Sequence, residues 1–195
     1  MPRQHRTRSR EEHVARFEEL YEATFRDVLG YLLRRTQDPE GAADLVAEVF
    51  TAVWSRIDDV PSGEEARPWM FGVARNVLAN HRRGDRRRSA LAMRLRAELA
   101  GVTVSPPSPE HGMGEIGRVF RSLSEQDREV LTLAGWERLD AGRIAVVLGC
   151  ARGTARVRLH RARSRFAKAL RGADIDPGVV PSGAATSTAL KGATR

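Results

Sequence analysis

Residues 152–171 hold seven arginines, one lysine and no acid. Their eight positive charges equal the net charge of the entire chain, +8. Guanidinium groups at this density bind polyanions. Arginine also forms bidentate hydrogen bonds to guanine O6 and N7, worth ~1–3 kcal/mol of discrimination against a wrong base. Ala155, Leu159, Ala162, Phe166 and Ala169 recur at helical spacing and form an inward stripe. The outward wedge then carries Arg156, Val157, His160 and Arg161, the candidates to meet base edges in a major groove. Arg152 and Thr154 fall in the first turn, where side chains and helix N-terminal amides together hold phosphates. Arg158, Arg163 and Arg165 flank the buried stripe.

A second basic surface lies earlier in the chain. With Ala66, Met70, Val73 and Val77 inward, Arg75 and Arg82 fall opposite the stripe, with Asn76 and Arg83 at its edge. The loop 58–63 (DDVPSG) precedes them, and Trp54, Trp69 and Phe71 are near in sequence. Basic charge with adjacent aromatic rings suits unstacked single-stranded bases; Trp54 and Trp69 also fit a hydrophobic core, which is the preferred reading. Glu40, Asp44 and Glu48 form an acidic row at four-residue spacing, either a solvated face or a contact for a basic partner.

Catalytic patterns are lacking. There is no Ser/His/Asp arrangement in a plausible motif and no P-loop. Residues 112–117 match GxGxxG formally, but a dinucleotide site needs a buried strand before the glycines, and a proline-rich stretch stands there. His5, His13, His81, His111 and His160 show no ligand spacing, and the single cysteine, Cys150, cannot form an internal disulfide. Neither a metal nor a cofactor is expected.

Helices must position these groups. Ser9 with Glu12 offers a capping box, followed by Val14, Phe17, Tyr21, Phe25, Val28 and Leu32 at helical spacing. Asp38-Pro39 starts a second helix, whose wide stripe of Leu45, Val46, Val49, Phe50, Val53, Trp54 and Ile57 faces more than one neighbour. Ser62 with Glu65 is expected to cap a third, and a shorter amphipathic piece with Leu91, Leu95 and Leu99 follows the charged run 82–88. Residues 101–112, with three prolines in four positions, form a linker. Beyond it come Ile116, Val119, Phe120 and Leu123 on one face, a helix capped by Ser124 and ended by Gly135, and one capped by Asp140. The turn Leu148-Gly149-Cys150 then leads into the basic helix, which describes a helix-turn-helix.

The expected fold is all-α, two small helical domains joined by a proline-rich linker. A flexible basic arm occupies 1–10, the domains 11–100 and 113–171, and a disordered tail 172–195. The 41% hydrophobic content fills small cores, while a pI near 10.9 favours nucleic acid as a partner. No apolar run reaches membrane-spanning length, and no apolar core follows the four arginines of residues 1–10, so neither membrane insertion nor a secretory signal is expected. A cytoplasmic protein is the expectation.

Three stretches together resemble a known family: residues 44–50 (DLVAEVF) through Trp54, residues 68–76 (PWMFGVARN), and Gly153-Thr154 with Arg161-Ala162-Arg163. In order and spacing, over residues 17–170, they are similar to the extracytoplasmic-function sigma factors of bacterial RNA polymerase. The resemblance implies that the first domain opens and reads the promoter −10 element as a single strand, and that the second reads the −35 duplex. Asp44 and Glu48 would grip the polymerase clamp, with the flap as the other polymerase contact. Val60, Pro61, Ser62 and Gly63 would hold a flipped −10 base, with Asn76 beside it, Arg75 and Arg82 near the backbone, and Arg83 on the same surface. The linker would thread through the RNA exit path, and an anti-sigma factor would regulate the protein. No enzymatic activity is implied. Arg143, Ala151 and Ala155 depart from the family pattern, which bears on the −35 sequence read. Two other functions fit the residues: a helix-turn-helix regulator dimerising on a palindromic operator, and a basic RNA-binding protein.

Overall fold

A computed structural model describes residues 9–36, 38–98 and 114–175, with side chains of the second stretch described to residue 88. Every regular element among them is helical. The arm up to residue 8, the linker 101–112 and the tail from residue 176 lie outside the described residues.

The first unit is a bundle of α1 (Arg10–Thr36), α2 (Pro39–Trp54) and α3 (Ala66–Glu98). The capping box of α1 closes in both directions: the Ser9 amide donates to Glu12 at 2.8 Å and the Glu12 amide to Ser9 Oγ at 3.2 Å. Asp38 accepts from the Glu40 amide at 3.1 Å, with Pro39 in the first helical position. Val28, Tyr31 and Leu32 of α1, Leu45, Val49 and Val53 of α2, and Met70, Phe71 and Ala74 of α3 are closed off from solvent. The periodic stripe of α1 was expected to include Val14 and Tyr21, yet both are exposed. They lie at the outer margin, where Phe17, Tyr21 and Phe25 meet Phe50 and Trp54 ring against ring.

Three local expectations are corrected at α3. Ser62 makes no side-chain cap. Instead two single 3₁₀ turns, Ile57–Asp59 and Gly63–Glu65, carry the chain from α2 to α3. Gly63 stands at φ +65, where a side chain would strain the backbone. The inward stripe is Met70, Phe71, Ala74 and Leu78, with Val73 and Val77 half-buried at its side. The charged run 82–88 does not split the helix: α3 continues for 33 residues. His81 and Arg88 both pair with Asp85 one turn away, which supports the helix through Gly84.

The second unit comprises α4 (Glu115–Ser122), α5 (Glu125–Gly135), α6 (Ala141–Leu148) and α7 (Arg152–Gly172). Ser124 accepts from the Asp127 amide at 3.1 Å, and Asp140 from the amides of Gly142 and Arg143 at 2.7 and 3.0 Å. Gly149 turns the chain at φ 61, ψ 42, and the Cys150 amide closes back onto Ala145 O at 3.0 Å. Ile144, Val147, Ala155, Leu159 and Leu133 form the core between α5, α6 and α7. The two units are packed together, α6 against α3.

Candidate nucleic-acid interface

The buried residues Ala155, Leu159 and Ala162 fix the roll of α7. Arg156, Val157, His160 and Arg161 consequently project into solvent, as do Arg152 and Thr154 in the first turn. Among the described residues no hydrogen bond or ion pair engages Arg152, Arg156 or Arg161. Arg165 differs: it holds both carboxylate oxygens of Asp127 at 3.0 Å and ties α7 to the start of α5. Val157, 46% exposed in the middle of a charged wedge, is an apolar surface of the kind that meets a thymine methyl. Ala151 at the N-cap of α7 offers no side-chain acceptor, so the first-turn amides keep their donors for an external anion. Close by, hydrogen bonds from the amides of Arg143 and Gly142 hold the Asp140 carboxyl below its ordinary pKa, with the charges of Arg143 and Arg152 adding to them.

The candidate surface of the first unit is only partly as expected. Ser62, Gly63, Asn76 and Arg83 are exposed; Pro61 and Arg75 are half-buried. Val60 is 5% exposed and belongs to the core, and its carbonyl accepts a hydrogen bond from Arg16, so that it anchors the loop. Arg16, with His13 bonding Asp58 at 3.1 Å, braces this loop from α1. Phe71 is fully buried against Tyr31, ring centroids 5.4 Å apart, and offers no stacking face. Trp69 packs half-buried on the core, whereas Trp54 is 41% exposed and edge-on to Phe17 at 5.3 Å. Arg82 was expected to point away from the core of its own unit, and it does so toward the second unit. It is half-buried, paired with Glu125 of α5 and donating to Arg35 O at 3.0 Å.

Asp44 and Glu48 are exposed one turn apart on α2, and neither has an ion-pair partner among the described residues. The acidic row is thus available to a basic partner.

One cluster escaped the sequence reading altogether. Arg34 holds Glu137 with two hydrogen bonds of 2.9 and 2.8 Å, and Arg35 Nε donates to Glu129 at 2.9 Å. Tyr31 donates to the same Glu129 at 2.9 Å, and Arg67 donates to Glu137 O at 2.9 Å. Burial raises the Tyr31 phenol far above its ordinary pKa, and the Glu129 charge raises it further, so this hydroxyl is a permanent donor. The pairs join residues 94 and 103 positions apart. No local pattern announces them.

A two-unit helical protein with an exposed arginine wedge on the second helix of a helix-turn-helix is a DNA-binding architecture. Comparison with known proteins places it further. The Sigma-70 region 2 family model matches residues 20–88, and the Sigma-70, region 4 model matches residues 113–166. The ECF RNA polymerase sigma factor SigL of Mycobacterium tuberculosis is 30% identical over 145 residues, covering 68% of this chain and 76% of that protein. The RNA polymerase sigma factor YlaC of Bacillus subtilis is 26% identical over 160 residues, covering 80% and 92%. Two solved structures share the fold at 21% identity. The sigma factor RpoE of Bartonella quintana, in complex with the anti-sigma factor NepR, has a TM-score of 0.58 over 80% of this chain and 96% of that one. CnrH in complex with the cytosolic domain of CnrY has a TM-score of 0.54 over 81% and 88%. The chain belongs to the extracytoplasmic-function sigma factors of the sigma-70 family, which direct promoter-specific transcription initiation by RNA polymerase. No helix among the described residues is long and apolar enough to cross a membrane.

Proposed function

We propose that the two units divide promoter recognition, with residues 11–100 acting on core polymerase and the −10 element and residues 113–171 on the −35 element. The observation that carries this is the outward wedge of α7: Arg156, Val157, His160 and Arg161 are exposed and held at fixed roll by Ala155, Leu159 and Ala162. Arg156 and Arg161 supply bidentate donors to bases, while Arg152 and Thr154 take phosphates beside the helix N-terminus. In the first unit, Ser62 and Gly63, with Pro61, receive a flipped base of the opened −10 strand. Asn76 recognises it, and Arg75, Arg82 and Arg83 follow the backbone. Val60 contributes through its buried anchor. Asp44 and Glu48 are the contact for the polymerase clamp; the second unit engages the flap, and the linker 101–112 follows the RNA exit path.

The protein contributes no catalysis of its own and works in the cytoplasm, where polymerase is. An anti-sigma factor is its regulator, a reading supported by the two fold relatives solved with NepR and with CnrY. The test is a purified chain mixed with core polymerase on promoter DNA, read by permanganate reactivity of unpaired thymines. Strand opening should need both proteins. Asp44→Arg, at an exposed position, should abolish co-elution with polymerase at unchanged thermal stability. Tight, selective promoter binding without polymerase would instead favour a stand-alone helix-turn-helix regulator.

A further inference from the structure

The packed arrangement cannot read a promoter. α3 carries the −10 candidates, α6 packs on α3, and α7 packs on α6. Two helix-packing steps of ~8–10 Å place α7 about 20 Å from α3. Elements ~25 base pairs apart on B-DNA lie ~85 Å apart at ~3.4 Å per pair. The units must separate for α3 and α7 to act on one promoter, and the 15 residues 99–113 reach ~50 Å when extended.

What the closed arrangement buries is then informative. Glu129 and Glu137, with Glu125 at the rim, sit in a cleft of arginines formed by Arg34 and Arg35 of α1 and Arg82 of α3. Glu137 is 2% exposed and the Arg35 side chain 8%. The Arg35 guanidinium lies over the Tyr31 ring, 3.5 Å from its centroid, and its Nη2 is the one buried side-chain donor left without a partner among the described residues. The carboxylates fill the cleft without satisfying it. On separation, the cleft keeps its guanidinium groups and loses every one of these anions. A backbone phosphodiester, with one negative charge and two non-bridging oxygens as in a carboxylate, fits the same guanidinium fork.

We infer that the Arg34–Arg35–Arg82 cleft is a binding site for DNA backbone phosphate, and that Glu129 and Glu137 occupy it as phosphate substitutes while the chain is closed. The helix-turn-helix unit thus masks a DNA site of its own partner unit, and DNA and closure compete for the same arginines. At Gly72 a Cβ would lie 3.8 Å from Val147 Cα, so α3 and α6 approach closely enough for a larger side chain to wedge them apart.

This proposal rests on the DNA-binding reading above, and its test uses DNA without a promoter, so that failure here leaves polymerase binding and −35 selectivity standing. The probe is a 30-base-pair duplex of mixed sequence with the full chain, and scattering-derived radius of gyration and duplex affinity are measured across a salt series. Glu129→Gln/Glu137→Gln should expand the chain and bind the duplex on the order of tenfold tighter. Its slope of log affinity against log salt should be steeper by about 2–3, one step for each arginine released. Arg34→Gln/Arg35→Gln should expand equally and bind no tighter than the original chain. Gly72→Leu, which removes no charge, should expand and gain affinity, and circular dichroism checks that helicity is kept. The unaltered chain should expand when the duplex is added but not at matched ionic strength. A carboxylate variant that stays compact overturns the masking. One that expands yet binds no better than the arginine variant overturns the phosphate site.

Discussion

Arg156 occupies the middle of the exposed wedge of α7 with no hydrogen-bond or ion-pair partner for its side chain among the described residues, and it is the proposed base reader. Arg156→Ala should reduce discrimination at one −35 base pair by ~1–3 kcal/mol, measured as the ratio of affinities for the cognate and substituted promoter. Thermal stability should not change, because the side chain is exposed. Equal selectivity in the variant would move the base-reading role to Arg161 or His160. The buried and outward positions were legible in α7 because one helix face is built of alanines and leucine and the other of arginines. They were less legible in α3. Apolar residues there include Phe71, Val73 and Val77, and α3 buries surface against α1 and α2 on one side and α6 on another. A two-sided helix has no single stripe, and Arg82, placed outward by the wheel, meets Glu125 of the second unit. Val60 illustrates the same limit at loop scale, since only its burial reveals that it anchors the turn.

At the scale of elements, the helix-turn-helix depends on the cap that starts α6 and the turn that ends it. Gly149 adopts φ 61, a conformation that costs a residue with a Cβ about 1–2 kcal/mol. Gly149→Ala should lower stability by about that amount in chemical denaturation and leave the first unit intact. Asp140 accepts two amide hydrogen bonds, which hold its folded pKa below the ordinary carboxylate value. A depressed carboxylate adds stability above the unfolded pKa, and that contribution is lost as pH falls through the folded pKa. Melting temperature of the chain should therefore drop in this acidic window, and Asp140→Asn, which keeps an acceptor without the charge, should flatten that dependence. An unchanged acid limb in the variant would assign the loss to other groups. These caps were legible from sequence because each bond spans two or three residues. Ser62 with Glu65 had the same spelling and failed, since Gly63 takes a left-handed conformation that routes the chain through a 3₁₀ turn first.

At the scale of the molecule, two family segments, residues 20–88 and 113–166, account for polymerase and promoter engagement. Their division was legible in the proline-rich stretch between them. Their mutual packing was not, because part of it rests on charges that read as solvated surface until Glu129 and Glu137 meet the end of α1. Arg34, Arg35, Glu129 and Glu137 each sit in an unremarkable polar context and acquire meaning only as pairs. The central claim is that this chain tells RNA polymerase where to start. The most direct measurement is the mapping of transcript 5′ ends made by core polymerase on a genomic template, with and without the purified chain. A defined set of new start sites sharing −10 and −35 sequences, lost with Asp44→Arg, is the predicted result. The same start sites in both reactions, with the chain present and folded, would contradict it.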